Sequence, residues 1–196
     1  MSFVNLANVA TIISKGTTPT SVGLAFSASG VPFIRGENVA GGPVDLSGAP
    51  LFINEMAHQL LRRSALKPGD VLVTIAGTIG RIGFVGREIK EANCNQAVAF
   101  IRCDHSAFDY EWLCLLLQSP AYQAIFKEFV AGGAIPNISL QQIGSIKIPL
   151  ISIAVQRQIA ARLRAQLAEV DKARQATKTQ LRDLNALAES IVLDSL

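Results

Sequence analysis

The stretch that decides the fold is LKPGDVLVTIAGTIGRIGFVG, Leu66 to Gly86, in which Gly77, Gly80 and Gly83 stand three residues apart. Glycine-rich turns often cradle phosphate, so the first question is whether this one binds a nucleotide. A P-loop needs a lysine and a hydroxyl residue directly after its last glycine, because the ammonium reaches the phosphates and the hydroxyl holds magnesium. Here Arg81 and Ile82 follow Gly80, and Phe84 and Val85 follow Gly83. A dinucleotide fold needs G-x-G-x-x-G between a strand and a long amphipathic helix. The spacing here is G-x-x-G-x-x-G, and both flanks, Val71–Ile75 and Ile82–Val85, are apolar and rich in β-branched residues. The stretch therefore predicts two strands joined by a turn, with glycine supplying the positive φ angles that the turn requires.

Working outward, residues 1–105 keep this texture. Turn signals recur at Lys15-Gly16-Thr17-Thr18-Pro19, Ser29-Gly30-Val31-Pro32, Gly41-Gly42-Pro43 and Lys67-Pro68-Gly69-Asp70, with short runs such as Val31–Arg35 and Ala97–Ile101 between them. This predicts strand and loop. Two short helices are expected within it, one over Asn5–Ser14 and one over Asn54–Leu61 with Asn54 as its cap. Asp109 then caps a helix through Leu117. Ser119-Pro120 pairs a cap with an N1 proline and starts another helix to about Val130, stopped by Gly132-Gly133. Ser139 caps a turn through Gln142, and Ile146–Pro149 reads as a last strand.

From Ser152 to Leu193 there is neither proline nor glycine. Alternate steps of four and three from Leu163 reach Leu167, Val170, Arg174, Thr177, Leu181, Leu184, Ala188 and Ile191, a heptad stripe with a polar break in its middle. About 40 residues at 1.5 Å each make a helix near 60 Å. One reading folds this helix back on its own domain. The other leaves it projecting and in need of a partner, since its stripe would otherwise face water. The expected architecture is α+β: a strand- and loop-rich domain over residues 1–150, then a long helix over 151–196.

Composition narrows the function. The chain has 196 residues, 49% hydrophobic and 17% charged, which is the balance of a folded protein. No apolar run reaches the roughly 18 residues of a membrane span, and the start MSFVNLANVATIISKG lacks the form of a signal peptide, so the cytoplasm is expected. Cys94, Cys103 and Cys114 lack C-x-x-C spacing and read as reduced core or near-core thiols. The net charge is +3, with 11 basic and 10 acidic residues through Leu150 and 7 and 5 beyond it. Any contact with nucleic acid must come from a few well-placed side chains and not from a broad field. His58 and His105 have no metal-ligand neighbours at useful spacing. No nucleophile elbow, zinc-protease motif or N-P-P-aromatic motif of amino-methyltransferases occurs. A binding or scaffolding chain without catalysis, metal or cofactor is expected.

Several motifs in order resemble a known family. Lys15–Pro19 followed by Gly30–Val39, Leu66–Leu72 followed by Gly77–Gly80, Asn95-Gln96, Leu113–Gln123, Ile138–Leu140, Ile146–Pro149, and Gln156–Leu163 are similar to the DNA-specificity (S) subunits of type I restriction–modification systems. The resemblance spans nearly the whole chain. One departure is that Ile151–Val155 replaces a second proline and the glutamate usual before Gln156. Another is length, because members usually carry two recognition domains and two helices, and this chain carries one set. The resemblance implies a non-catalytic target-recognition domain that reads one half of a split double-stranded DNA target. It implies a helix that pairs with a second copy as an antiparallel coiled coil through Leu163, Leu167, Val170, Leu181, Leu184, Ala188 and Ile191. It also implies methyltransferase (M) subunits that carry S-adenosylmethionine, together with restriction (R) subunits. Candidate DNA contacts are the polar turn residues Lys15, Thr17, Thr18, Arg35, Asn38, Thr78, Arg81, Asn93, Asn95 and Gln96, since Arg can take guanine and Asn or Gln adenine. Two alternatives stand beside this reading: a structural or decoy protein that dimerises without competent DNA reading, and a small-ligand enzyme with an unrecognised site.

Overall fold

The computed structural model describes residues 2–131 and 136–193, with side-chain surroundings through residue 186. In chain order the elements are β1 (Phe3–Asn5), β2 (Ala10–Lys15), β3 (Val31–Ile34), β4 (Leu51–Ile53), α1 (Glu55–Leu60), β5 (Ala65–Leu66), β6 (Val71–Thr74), β7 (Ile82–Phe84), β8 (Ala92–Cys94), β9 (Val98–Cys103), α2 (Tyr110–Gln118), α3 (Pro120–Ala131), α4 (Leu140–Ser145), β10 (Lys147–Pro149) and α5 (Ile153–Leu193). The fold is α+β, as expected.

The Leu66–Gly86 stretch forms the expected hairpin. β6 pairs antiparallel with β7, Val71 opposite Phe84 and Val73 opposite Ile82. Gly77 and Gly80 take φ of 71° and 86° in the connection. Gly83 has a different reason to be glycine, because a Cβ there would lie 3.0 Å from the Gly42 carbonyl oxygen and 3.1 Å from Val39. The hairpin belongs to a sheet of order β2-β9-β6-β7, antiparallel throughout. A second sheet, β4-β3-β8-β5, contains one parallel pair, β3 with β8. β1 and β10 form a separate antiparallel ribbon.

Two apolar clusters fill this part of the chain. One gathers Ile34, Val39, Leu66, Leu72, Val85, Cys94, Val98 and Phe100, and the other Phe33, Ile53, Ala57 and Leu61. One buried ion pair joins β6 to β9. Asp70 is fully buried and takes two hydrogen bonds from Arg102, at 2.7 and 2.6 Å, and one from the Lys67 backbone at 2.8 Å. The three cysteines are free and buried.

The capped helices form where their signals lie. Asn54, Asp109 and Ser139 each accept a backbone N–H of the first turn that follows. The Gly132-Gly133 stop lies outside the described residues. The helix expected over Asn5–Ser14 is not formed. Leu6–Asn8 makes one 3₁₀ turn, and Ala10–Lys15 is the edge strand β2, paired with β9. The β-branched run Thr11-Ile12-Ile13 and the ladder offered by β9 outweigh a weak local helix preference.

The chain divides into two compact units, Met1–Arg157 and Gln158–Leu196. The division falls inside α5, because the helix's first turn is tied to the first unit. Buried Gln156 donates to the carbonyls of Ala107 and Ile151, at 3.2 and 2.9 Å, and accepts the Asp109 N–H at 2.9 Å.

Candidate nucleic-acid interface

Backbone register brings several of the candidate residues together at one end of the β2-β9-β6-β7 sheet. β2 runs out through Lys15 into Gly16, whose N–H donates to Val98 at 3.1 Å, while the Thr17 N–H donates to Cys94 at 3.0 Å. A Cβ on Gly16 would sit 1.9 Å from the Cys94 carbonyl oxygen, so only glycine allows this loop to lie on the β8–β9 connection. Thr18 Oγ1 then donates to Gln96 Oε1. In the parallel pair Ile34 faces Cys94, and the Asn95 N–H donates to Ile34 at 3.1 Å, which makes Arg35 and Asn95 neighbours at the ladder's end.

The third segment is the hairpin connection. Thr74, buried at the end of β6, donates its hydroxyl to the Thr78 carbonyl at 2.6 Å and accepts the Arg81 N–H at 2.9 Å. The Ile75 N–H donates to Ala97 at 2.8 Å. Arg81 Nη1 reaches the Gly36 carbonyl at 3.5 Å. From behind, Gln123 of α3 donates to the carbonyls of Gly80 at 3.0 Å and Leu117 at 2.9 Å, which holds the glycine turn against the helices. A cleft of about 530 Å³ opens beside Arg81, between Gly41, Gly80 and Gln123.

The sequence candidates thus separate by what their side chains already do. Lys15, Thr78, Arg81 and Gln96 are exposed, and Thr17, Thr18 and Arg35 are half-buried. Asn38 spends its side chain locally, accepting the Arg35 N–H at 2.9 Å and donating to the Asp45 carbonyl at 2.8 Å. Asn95 is half-buried, and its Oδ1 is buried without a hydrogen-bond partner. Asn93 must be withdrawn as a DNA contact. It is 0% exposed, its Oδ1 accepts from His58 Nδ1 at 2.5 Å, and its amide donates to the Leu61 carbonyl and Ser64 Oγ at 3.2 and 3.3 Å. His58, buried as well, places Nε2 3.3 Å from Glu91, so the histidine has a structural place. Sequence reasoning passed over Glu37, which lies in the same turn as two candidates and pairs with Arg35 Nη2 at 2.7 Å. An acidic residue draws no attention in a search for donors to phosphate, although its place between Arg35 and Asn38 was the available signal.

Burial pushes the Cys103 and Cys114 thiols up to about 12 and the Cys94 thiol higher still, which leaves them poor nucleophiles. Among the described residues no group of His, Cys, Asp and Glu is placed to hold a metal ion, and no helix is long and apolar enough to cross a membrane.

In chain order, a mixed α+β unit with polar turns gathered at strand ends of its two sheets is followed by a long helix. Residues 1–181 match the model of the type I restriction modification DNA specificity domain, and the chain belongs to that family. It is 31% identical over 163 residues to the type I restriction enzyme EcoBI specificity subunit of Escherichia coli, an alignment that covers 83% of this chain and 34% of that protein. The chain thus spans about a third of the length of this curated relative. Its fold is similar to a chain in a structure of a type I R-M system, with TM-score 0.69, 21% identity, and 93% of this chain and 43% of that one covered. It is also similar to the HsdS subunit of Thermoanaerobacter tengcongensis, with TM-score 0.67, 17% identity, and 95% and 47% covered.

Proposed function

We propose that this chain is a cytoplasmic, non-catalytic DNA-recognition component of a type I restriction–modification system, in which residues 1–150 read one half of a split target. The observation that carries this reading is the convergence of Lys15–Thr18, Arg35–Asn38, Thr74–Arg81 and Asn95–Gln96 where strand ends of the two sheets meet, in a chain of the specificity-domain family. Three basic side chains, Lys15, Arg35 and Arg81, stand against two acids, Glu37 and the exposed Asp45 bonded to Asn38, so these segments are only weakly basic. That suits positioning on phosphate with base contacts added, and fits weak binding until a methyltransferase subunit helps to hold the DNA.

The helix supplies the second half of the reading. Leu163, Leu167, Val170, Leu181 and Leu184 are 38% to 63% exposed in the chain alone. Ala188 and Ile191, at the end of the stripe, have side chains outside the described residues. Two copies pair antiparallel through this stripe and present two identical readers about a two-fold axis. The target is then an interrupted palindrome. A helix of 41 residues extends about 60 Å at 1.5 Å per residue, which sets the half-sites one to two DNA turns apart. M subunits, and R subunits in the nuclease, supply the chemistry.

The test is selection of modified sites from random duplexes with a methyltransferase partner present. The expected result is a palindrome with an unread spacer of fixed length. Unequal halves, or one uninterrupted site, overturn the paired-reader model. Saturable binding of S-adenosylmethionine or ATP by the purified chain overturns the non-catalytic one.

A further inference from the structure

The Arg35–Glu37 pair raises a chemical question. Glu37 is 59% exposed in the turn between Arg35 and Asn38, which the Arg81 guanidinium also reaches. A carboxylate on a surface that meets phosphate is repelled by it, and it has no N–H to offer a phosphate or a carbonyl. It can only accept. The turn that carries it is held on three sides. Asn38 Oδ1 takes the Arg35 N–H at 2.9 Å, Asn38 Nδ2 holds the Asp45 carbonyl at 2.8 Å, and Arg81 reaches the Gly36 carbonyl at 3.5 Å. Gly36 lies beside Thr74, where a Cβ would make ordinary contact, 3.4 Å, with the threonine methyl. Arg35 Nη2 is 2.7 Å from Glu37 Oε1, while Arg35 Nε is buried and unpartnered. A guanidinium fork and a carboxylate are thus set side by side on a pinned turn.

We propose that Arg35 and Glu37 act as one reader of a G·C base pair in the major groove, with Glu37 as a specificity-determining acceptor for the cytosine amino group. This rests on the DNA-reading function proposed above. The chemistry selects the base pair. The G·C edge presents two acceptors on guanine, N7 and O6, and then one donor, cytosine N4. An arginine fork beside a carboxylate offers donor, donor, acceptor, the complement in that order. The A·T edge presents acceptor, donor, acceptor and a methyl group, which sets one guanidinium donor against the adenine amino group and the carboxylate against thymine O4. Because Asn38 fixes the turn before DNA arrives, little ordering is left for the bound state.

The experiment selects bound and modified sites from fully randomised duplexes, using the full chain with a methyltransferase subunit, for wild type, Glu37→Gln and Arg35→Lys. Wild type is expected to require a G·C pair at one position in each half-site. Both variants are expected to lose discrimination at that same position, on the order of tenfold or more, with all other positions kept. If the two variants relax different positions, or Glu37→Gln changes no preference, or it weakens every position equally, the shared reader is overturned. A wild-type chain that selects no sequence overturns the DNA-reading function itself, an outcome distinct from wild-type selection with unaltered variants.

Discussion

Two sets of leucines show how differently the two units are built. In α2 of the first unit, Leu113 and Leu117 are 1% and 0% exposed, sealed against the sheet and neighbouring helices of their own unit. In α5, Leu181 and Leu184 are 58% and 63% exposed, and every described side chain from Ala161 to Ala186 is exposed. The residue type is the same, and what differs is whether the chain supplies its own cover. The exposed stripe of leucines is what the proposed pairing would cover, whereas the first unit has two apolar clusters and a buried ion pair of its own.

The sharpest way to break that contrast is to charge the stripe. Leu181→Lys with Leu184→Lys removes two apolar side chains from the proposed seam, worth about 1.5–3 kcal/mol each when buried. A loss of at least about 3 kcal/mol weakens pairing by 100-fold or more. Sedimentation is expected to show monomers where wild type is dimeric, with the thermal unfolding of the first unit unchanged. A wild-type chain that sediments as a monomer at micromolar concentration removes the need for a partner helix altogether.

The complementary change breaks the first unit and spares the second. Asp70→Ala leaves the partly buried Arg102 guanidinium with only its bond to the Ala65 carbonyl, without its two to the carboxylate, and frees the Lys67 N–H. Removing one member of a buried pair costs about 3–5 kcal/mol. Denaturant unfolding followed by the fluorescence of Trp112, buried in α2, is expected to show that loss. An unchanged midpoint would mean that the ion pair is not what ties β6 to β9.

This pair also shows how much of the molecule is legible in its sequence. The Gly69-Asp70 motif reads as a turn, and it is one, with φ of 84° at Gly69. The purpose of its carboxylate depends on Arg102, 32 residues away, which no local reading supplies. The same holds for Gln123, which secures the Gly80 turn, and for Gln156, which ties the base of α5. The caps Asn54, Asp109 and Ser139 and the helices they start are written locally, and they form where their signals lie. β4, β5 and β8 have two or three residues each, too few to show a period, and exist only because neighbouring strands accept them. The Asn5–Ser14 stretch failed for a related reason, since pairing with β9 decided its form. In the candidate interface, the turns were legible, but which polar side chains the fold had already consumed was not.

Asn93 is the case where that distinction can be measured. Asn93→Ala leaves the buried His58 Nδ1 without its Asn93 partner and takes one donor each from Ser64 Oγ and the Leu61 carbonyl, which keep their bond to each other. The expected cost is about 1–3 kcal/mol of stability, with base preference unaltered in site selection. A changed preference without a change in stability would return Asn93 to the reading surface.

The smallest effect belongs to the exposed rim of the interface. Arg81 is exposed, and the modest bond of its guanidinium, 3.5 Å to the Gly36 carbonyl, holds nothing that Asn38 does not hold better. Arg81→Ala should therefore leave folding nearly untouched. If its guanidinium neutralises one phosphate, the plot of log affinity against log salt concentration loses about one unit of slope, and all sequences weaken alike. If Arg81 reads a base instead, the slope barely moves and discrimination at one position falls by about 1–3 kcal/mol. Binding titrations at several salt concentrations, on a selected target and on a scrambled duplex, separate the two. The phosphate outcome is expected, because a side chain that leans on the Gly36 carbonyl beside Arg35 flanks the proposed reader and does not extend it.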